Sequence, residues 1–450
     1  MMLTRMRAVI AGQGGGYRWE LLSSTAIALA VRIFGAGSQF AFTLMLGRLL
    51  GAQGTGLYAL ALSVCTFGSI LGRVGMDVSI LRFVAAHRTQ EHWSRLRHGW
   101  RTMISYACVS SCVVAGVLFV FAPYVAERLF AEPGLAGPLR WMLLSIVPFG
   151  LLNLLAESLR AVQRIGDASL VQAGLVPGCS AIFFGLLYRF GFGVEGAVLA
   201  YVGATVLVCI LAYHRWLQAI PGLAQTPARD GPTPGEILAV SIPMAWISIS
   251  LAIRSLIDTV ILGYFRPAAE VGVYSVAVRV SLLITFMPVA VASFSAPKFA
   301  TLYQQGAFVA IEKLAQSGTK LVLLLALPVL LVFFLVPAAV LQLFGDHFRS
   351  GATVLVILSI GQLVNIVVGF TGLLLLMTRH ERQMQWISTV SVLGNLSFCF
   401  LLIPSYGMIG AAIASASGLV LLNLLALFAT VRWLKVSTIP WVSIAGRSVS

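Results

Sequence analysis

Apolar runs of about twenty residues succeed one another along almost the whole of this 450-residue chain, with short polar connections between them. A helix of that length matches the roughly 30 Å hydrocarbon core of a bilayer. Lipid offers backbone N–H and C=O groups no partners, so a crossing segment must satisfy them internally, as a helix does. The balance of residues agrees: 10% are charged and 59% hydrophobic, whereas a soluble domain carries about 25% charged residues. The pattern predicts an all-α polytopic membrane protein with no soluble domain. About twelve spans are expected, near 21–46, 57–83, 102–122, 139–160, 168–188, 194–214, 237–262, 271–296, 321–344, 351–378, 384–403 and 407–431.

The net charge of +15 would suggest nucleic acid in a soluble protein. Here the distribution of charge gives a simpler reading. With both termini in the cytoplasm, nineteen Lys and Arg fall on the cytoplasmic side and six on the other, with five more inside spans or at their edges. Cytoplasmic loops collect basic residues in this way, so no nucleic-acid partner is implied. The basic, Gly-rich residues 1–20 lack a hydrophobic core followed by a small-residue cleavage site, and read as a cytoplasmic tail. The six cysteines all sit in apolar runs without a C-x-x-C, and the histidines lack ligand spacing, so no metal site is expected.

A Pro/Gly-rich stretch, IPGLAQTPARDGPTPG at Ile220–Gly235, divides the chain almost in half. It suggests an N-terminal six-helix lobe (1–218), a cytoplasmic linker (219–236) and a C-terminal six-helix lobe with a short tail (237–450). An internal repeat supports the division. Leu46, Gly47, Ala52, Gly56, Tyr58 and Ala61 recur 216 residues later as Leu262, Gly263, Ala268, Gly272, Tyr274 and Ala277. Near the lobe ends, Gly193, Gly196, Ala197 and Ala200 recur 214 residues later as Gly407, Gly410, Ala411 and Ala414. Lobes with an even number of spans share one orientation, which puts the symmetry axis along the membrane normal and a transport path between them.

Charges inside spans are the candidates for function. A charge at the centre of a lipid-facing helix costs roughly 2.5–3.5 kcal/mol on insertion scales, so those that persist face protein or a water-filled cavity. Arg32 lies in the first span, Arg73 and Asp77 in the second, Arg254 and Asp258 in the seventh, and Arg279 in the eighth. Both Arg–Asp pairs are four residues apart, on one helix face. Each pair is either a structural ion pair or part of a cavity lining. Four Arg against two Asp would suit an anion, and arginine can fork its donors onto phosphate oxygens. Arg32, Arg73, Arg254 and Arg279 are therefore the candidate substrate contacts, and Asp77 and Asp258 the candidate ion-coupling groups. Gln39, Asn153, Gln163, Gln362, Asn365, Asn395 and Asn423 can meet sugar hydroxyls or bond neighbouring helices, the second being the expectation for most of them. No nucleophile–base constellation and no P-loop are present, so neither an enzyme nor an ATP-driven pump is indicated.

At this point a family resemblance enters. Residues 32–85, with Gly47-Arg48-Leu49-Leu50-Gly51, Gly56, Tyr58 and Gly75-Met76-Asp77, resemble the opening two spans of bacterial polysaccharide exporters. These are the O-antigen and exopolysaccharide flippases of the multidrug/oligosaccharidyl-lipid/polysaccharide exporter superfamily. Ser405–Ala416, SYGMIGAAIASA, resembles the family's last span. The resemblance implies a MATE-like arrangement of two six-helix bundles in a V around a central cavity. It also implies a carrier in the bacterial inner membrane that moves an undecaprenyl-pyrophosphate-linked oligosaccharide outward by alternating access, for O-antigen, capsule or exopolysaccharide synthesis. No cofactor is implied beyond a coupling H+ or Na+. A polysaccharide polymerase and export machinery would be partners. Two alternatives stand beside this reading: a multidrug antiporter of the same superfamily, which would favour an acidic cavity, and a membrane-embedded glycan polymerase or glycosyltransferase, which would show a larger extracytoplasmic loop or an acidic motif.

Overall fold

The computed structural model describes residues 15–89, 93–220 and 234–444. The basic tail 1–14, the centre of the basic loop at 90–92, nearly all of the Pro/Gly-rich linker and the last six residues lie outside the described residues. Among the described residues every regular element is helical. The first half comprises α1 (Gly15–Arg73), α2 (Met76–Thr89), α3 (Trp93–Tyr124), α4 (Ala136–Leu143), α5 (Ile146–Ala161), α6 (Ile165–Ser169), a π-helical segment (Leu170–Leu175), α7 (Val176–Arg189) and α8 (Val194–Ala219). The second half comprises α9 (Pro234–Phe265), α10 (Ala268–Ser281), α11 (Phe286–Gln304), α12 (Phe308–Leu335), α13 (Pro337–Gln342), α14 (Ala352–Val368), α15 (Thr371–Met377) and α16 (Glu381–Ala429).

Among the described residues, nine helical stretches are long and apolar enough to cross a membrane, and the bent pair Pro133–Leu143 and Ile146–Ala161, at 45°, passes as one more. Two of the nine are too long for a single crossing. The 41 residues Ile33–Arg73 would extend about 60 Å at 1.5 Å per residue, twice the core thickness. Gly51 breaks this stretch with φ 66° and ψ −171°, and Gly407, at φ 55°, breaks the 54 residues Glu381–Leu434. A side chain disfavours both conformations, which is why glycine stands there. The nine to ten candidate crossings among the described residues, two of them long enough to turn back at a glycine, are consistent with the expected number and make the structure a multi-pass membrane protein.

Several spans that look continuous in sequence are broken. The second is interrupted between α1 and α2 by Val74 and Gly75, at φ 48° and 72°. The eighth changes to a 3-10 turn at Leu282–Thr285 between α10 and α11. The tenth stops at Gly369, φ 77°, before α15.

The sequence repeat reappears as a reciprocal contact. A Cβ on Gly56 would lie 1.7 Å from the Ala268 carbonyl oxygen, and a Cβ on Gly272 would lie 2.0 Å from that of Ala52. Ala52 corresponds to Ala268, and Gly56 to Gly272, through the offset of 216. Position i on one helix thus meets j on the other and j meets i, the signature of two-fold related surfaces. Small residues let the two backbones touch, as in other membrane helix pairs. The same end carries further ties between the halves. Arg48 Nε donates to the Leu343 carbonyl at 2.8 Å. Glu132 accepts the Ala268 backbone N–H at 2.7 Å, which caps the first turn of α10 with a carboxylate where the helix dipole favours one.

Candidate functional site

A chamber of about 570 Å³ opens beside the first half of α1. Its walls come from α1 (Gly35, Ala36, Gln39, Phe42, Tyr58, Leu62, Thr66), the π-helical segment (Gln172, Ala173), the start of α7, Tyr201 of α8, and Arg279 and Phe286 from the second half. The wall is aromatic and neutral-polar. Phe42 packs edge-on to Tyr58 at 5.7 Å between ring centroids, and Tyr58 edge-on to Tyr201 at 6.5 Å. Arg279 is the one charged side chain in the lining among the described residues. A second cavity of about 130 Å³ adjoins it, sharing Ala36, Gln39, Arg279 and Phe286, and is otherwise lined by Phe40, Thr43, Val280, Leu282, Leu283 and Phe344. Arg279 therefore stands where a larger chamber, mostly apolar with two glutamines in its wall, meets a narrower and still more apolar one.

Arg279 has no carboxylate within ion-pair distance among the described residues. Its Nη1 donates to Thr43 Oγ1 at 3.0 Å, which ties α10 to α1. Thr43 is itself held by donating to the Gln39 carbonyl at 2.8 Å, so its oxygen is turned to accept. A half-buried guanidinium with one neutral acceptor leaves most of its five donors for something else, and a desolvated cation gains most from an anion.

The other candidates fall elsewhere. Arg73 is buried and pairs with Asp77 at 3.8 Å, and its Nε donates to the Ser69 carbonyl at 3.3 Å. Asp77 in turn accepts from Ser248 Oγ at 3.3 Å, and Ser241 Oγ donates to Ser79 Oγ at 3.0 Å, so this pair helps tie α2 to α9. The Arg32 side chain lies outside the described residues.

Arg254 and Asp258 do not form the ion pair that their spacing allows. Arg254 is exposed and makes no ion pair among the described residues, while Asp258 is buried. Asp258 accepts from Tyr274 Oη at 3.3 Å and from Cys399 Sγ at 3.2 Å, with Asn395 and Ser415 also bonded to it. Its partners thus come from α10 and both parts of α16. The repeat sharpens the contrast. Asp258 and Tyr274 correspond to Phe42 and Tyr58 through the offset of 216. The same two positions make an aromatic contact beside the chamber in the first half and a carboxylate–phenol bond in the second.

Gln172, Thr43, Tyr201, Cys399 and Ser415 were not singled out by the sequence. Gln172 is the most telling. The π-helix that carries it widens one turn, and a Cβ on Gly35 would lie 2.6 Å from the Ala173 carbonyl of that turn, so α1 packs directly on the bulge. Nothing in LVQAGL announces a π-turn.

The profile of the family described as polysaccharide biosynthesis protein matches residues 21–304. "Probable flippase AglR" of Haloferax volcanii is 27% identical over 351 residues, which cover 74% of this chain and 68% of that protein. The fold resembles an inward-facing multidrug resistance MATE family transporter of the MOP superfamily, at a TM-score of 0.71 and 15% identity, covering 91% of this chain and 98% of the other. It also resembles lipid II flippase MurJ in an inward closed conformation, at a TM-score of 0.70 and 13% identity, covering 91% and 87%. The MATE-like fold expected from the sequence is the fold observed.

Proposed function

The chain belongs to the polysaccharide biosynthesis protein family, and from that premise we propose that it is a flippase for a lipid-linked oligosaccharide. The observation that carries this reading is Arg279, without an ion-pair partner among the described residues, at the junction of a chamber with two amides in its wall and a narrower, more apolar cavity. A polyprenyl-diphosphate glycan has the same order of parts: sugar, anion, hydrocarbon. The substrate class we propose is undecaprenyl-pyrophosphate-linked oligosaccharide, moved outward across the bacterial inner membrane for cell-surface polysaccharide synthesis, with both termini cytoplasmic. The protein acts as a carrier and not as an enzyme, and hands its cargo to a polymerase and export machinery. The two halves rock as lobes about the chamber, with Arg279 the main diphosphate contact and Arg254 adding positive charge. Arg73 is engaged by Asp77, which accepts from Ser248 of the other half, and so serves the packing of the halves instead.

Asp258 is the better of the two ion-coupling candidates. A carboxylate enclosed among neutral hydrogen-bonding groups is costly as a bare anion, so it is kept with a proton or a small cation such as Na+. Asp77 already has a cationic neighbour in Arg73. The chamber lining includes no carboxylate among the described residues, which gives a cationic drug nothing to pair with. The test is loss of the protein in its native host. Lipid-linked oligosaccharide then accumulates on the cytoplasmic face while surface polysaccharide disappears. Unchanged lipid intermediates together with increased drug sensitivity would instead support an antiporter.

A further inference from the structure

We propose that the chamber is a saccharide subsite, in which Gln39 and Gln172 read the hydroxyl and acetamido groups of an uncharged sugar next to the diphosphate. This rests on the flippase reading and adds to it which sugar chemistry the protein accepts and which side chains select it.

Two amides are held in the wall by their neighbours. Gln172 Oε1 accepts from Arg160 Nη2 at 2.8 Å, and its Nε2 donates to Asn153 Oδ1 at 3.4 Å. Asn153 is fixed in turn, its Nδ2 donating to the Phe149 carbonyl at 2.8 Å. This chain of bonds sets which way the Gln172 amide points and leaves its second N–H free for the chamber, onto which the side chain is exposed. Gln39 Nε2 is directed at Thr43 Oγ1 at 3.4 Å, the oxygen that also accepts from Arg279, so Gln39 Oε1 is left to accept. One wall thus offers a donor and another an acceptor, and the half-buried Phe149 and Phe286 supply aromatic surface in the same lining.

That combination fits a pyranose. Its hydroxyl groups both donate and accept, and its ring faces are apolar. A few placed polar groups in an otherwise apolar pocket are how ligand sites set orientation. The volume of about 570 Å³ lies in the range of sites that enclose a drug-sized ligand, which leaves room for more than one sugar residue. The charge pattern narrows the class. Arg279 is the sole ionised lining group among the described residues and lies at the edge shared with the apolar cavity. It is committed to the diphosphate, and Arg160 behind Gln172 is already engaged by Glu157 and by Gln172 Oε1, so an acidic sugar deeper in the chamber would lose its hydration without gaining a free cation. The π-turn is a second, independent sign. Single π-turns inside α-helices occur frequently at functional sites, and this one carries Gln172 into the lining.

The experiment measures equilibrium binding to the purified full chain in detergent with two probes: a short-chain polyprenyl diphosphate bearing one N-acetylglucosamine, and the bare polyprenyl diphosphate. Losing a hydrogen bond to a buried polar group weakens binding about tenfold. Gln172→Leu and Gln39→Leu are each expected to weaken the sugar-bearing probe by about that factor while leaving the bare diphosphate near its wild-type affinity. Arg279→Ala weakens both probes. Melting temperature qualifies each variant, and Gln39→Leu carries the test alone if Gln172→Leu fails to fold. Equal weakening of both probes, or of neither, by the glutamine variants overturns the subsite. If the wild-type chain binds both probes and only the glutamine effect is missing, the flippase reading survives. If it binds neither, both readings fall.

Discussion

Replacing Gly56 with alanine adds one methyl group at the reciprocal contact between the halves. That methyl would lie 1.7 Å from the Ala268 carbonyl oxygen, whereas ordinary contact begins near 3.4 Å. The obstacle is backbone on a packed helix and cannot rotate away, so α10 must retreat from α1 by well over an ångström. Overpacking of this kind costs about 1–3 kcal/mol. The retreat also strains the Glu132–Ala268 and Arg48–Leu343 bonds, each worth about 1 kcal/mol. At about 2 kcal/mol or more, the ratio of closed to open arrangements at this end shifts by at least thirtyfold. Gly272→Ala is expected to act alike, because the repeat places it in the equivalent contact. Gly37→Ala is the control, since a Cβ there meets nothing within 4 Å. Spin labels at Glu127 and Gln342, both exposed near this junction, report the separation by pulsed electron resonance. A longer, broader distance in Gly56→Ala and Gly272→Ala is predicted. A distribution identical to wild type and Gly37→Ala would refute the contact as the element that holds this end shut.

Three further outcomes follow from the placement of the charges. Asp258→Asn keeps the size of the side chain and removes its charge, so transport in proteoliposomes is expected to lose its dependence on an imposed H+ or Na+ gradient; dependence as in wild type would rule out Asp258 as the coupling group. Asp77→Asn is expected to lower the melting temperature, because Arg73 is left buried without its counter-charge. Breaking a buried pair in this way costs on the order of 3–5 kcal/mol, and an unchanged melting curve would contradict the structural role. Arg254→Ala, which removes an exposed charge outside both cavities, is expected to slow export less than Arg279→Ala does, with normal membrane insertion, and wild-type export would remove it from the substrate path.

The crossings were legible in the sequence because lipid admits few alternatives. A run of about twenty apolar residues has to be a helix, and the repeat at an offset of 216 marked Ala52, Gly56, Ala268 and Gly272 before their contact was visible. The breaks at Val74–Gly75 and Leu282–Thr285 were not legible: the first falls between Arg73 and Asp77, whose i,i+4 spacing reads as one continuous helix, and the second lies inside an apolar run. The site was readable only in part. Arg279 was singled out, yet so were Arg73 and Arg254, and spacing along one helix cannot tell which of them lines the chamber. The i,i+4 rule brought Arg254 and Asp258 together as candidates for a pair. It could not see that Tyr274 and Cys399 reach Asp258 from other helices, the second 141 residues away. Gln172 escaped because its position depends on a π-turn, a backbone feature with no side-chain signature here.

The most direct measurement is leaflet-resolved transport by the purified protein in vesicles. A fluorescent polyprenyl-diphosphate oligosaccharide is placed in one leaflet, and its appearance in the other is followed by accessibility to a membrane-impermeant quencher. The wild-type chain is predicted to equilibrate the lipid far faster than protein-free vesicles do. Arg279→Ala is predicted to be slower by about tenfold or more, the loss expected when charge-assisted bonds to the diphosphate are removed. Transport no faster than in protein-free vesicles, or wild-type speed in Arg279→Ala, would contradict a lipid-linked oligosaccharide flippase built around that arginine.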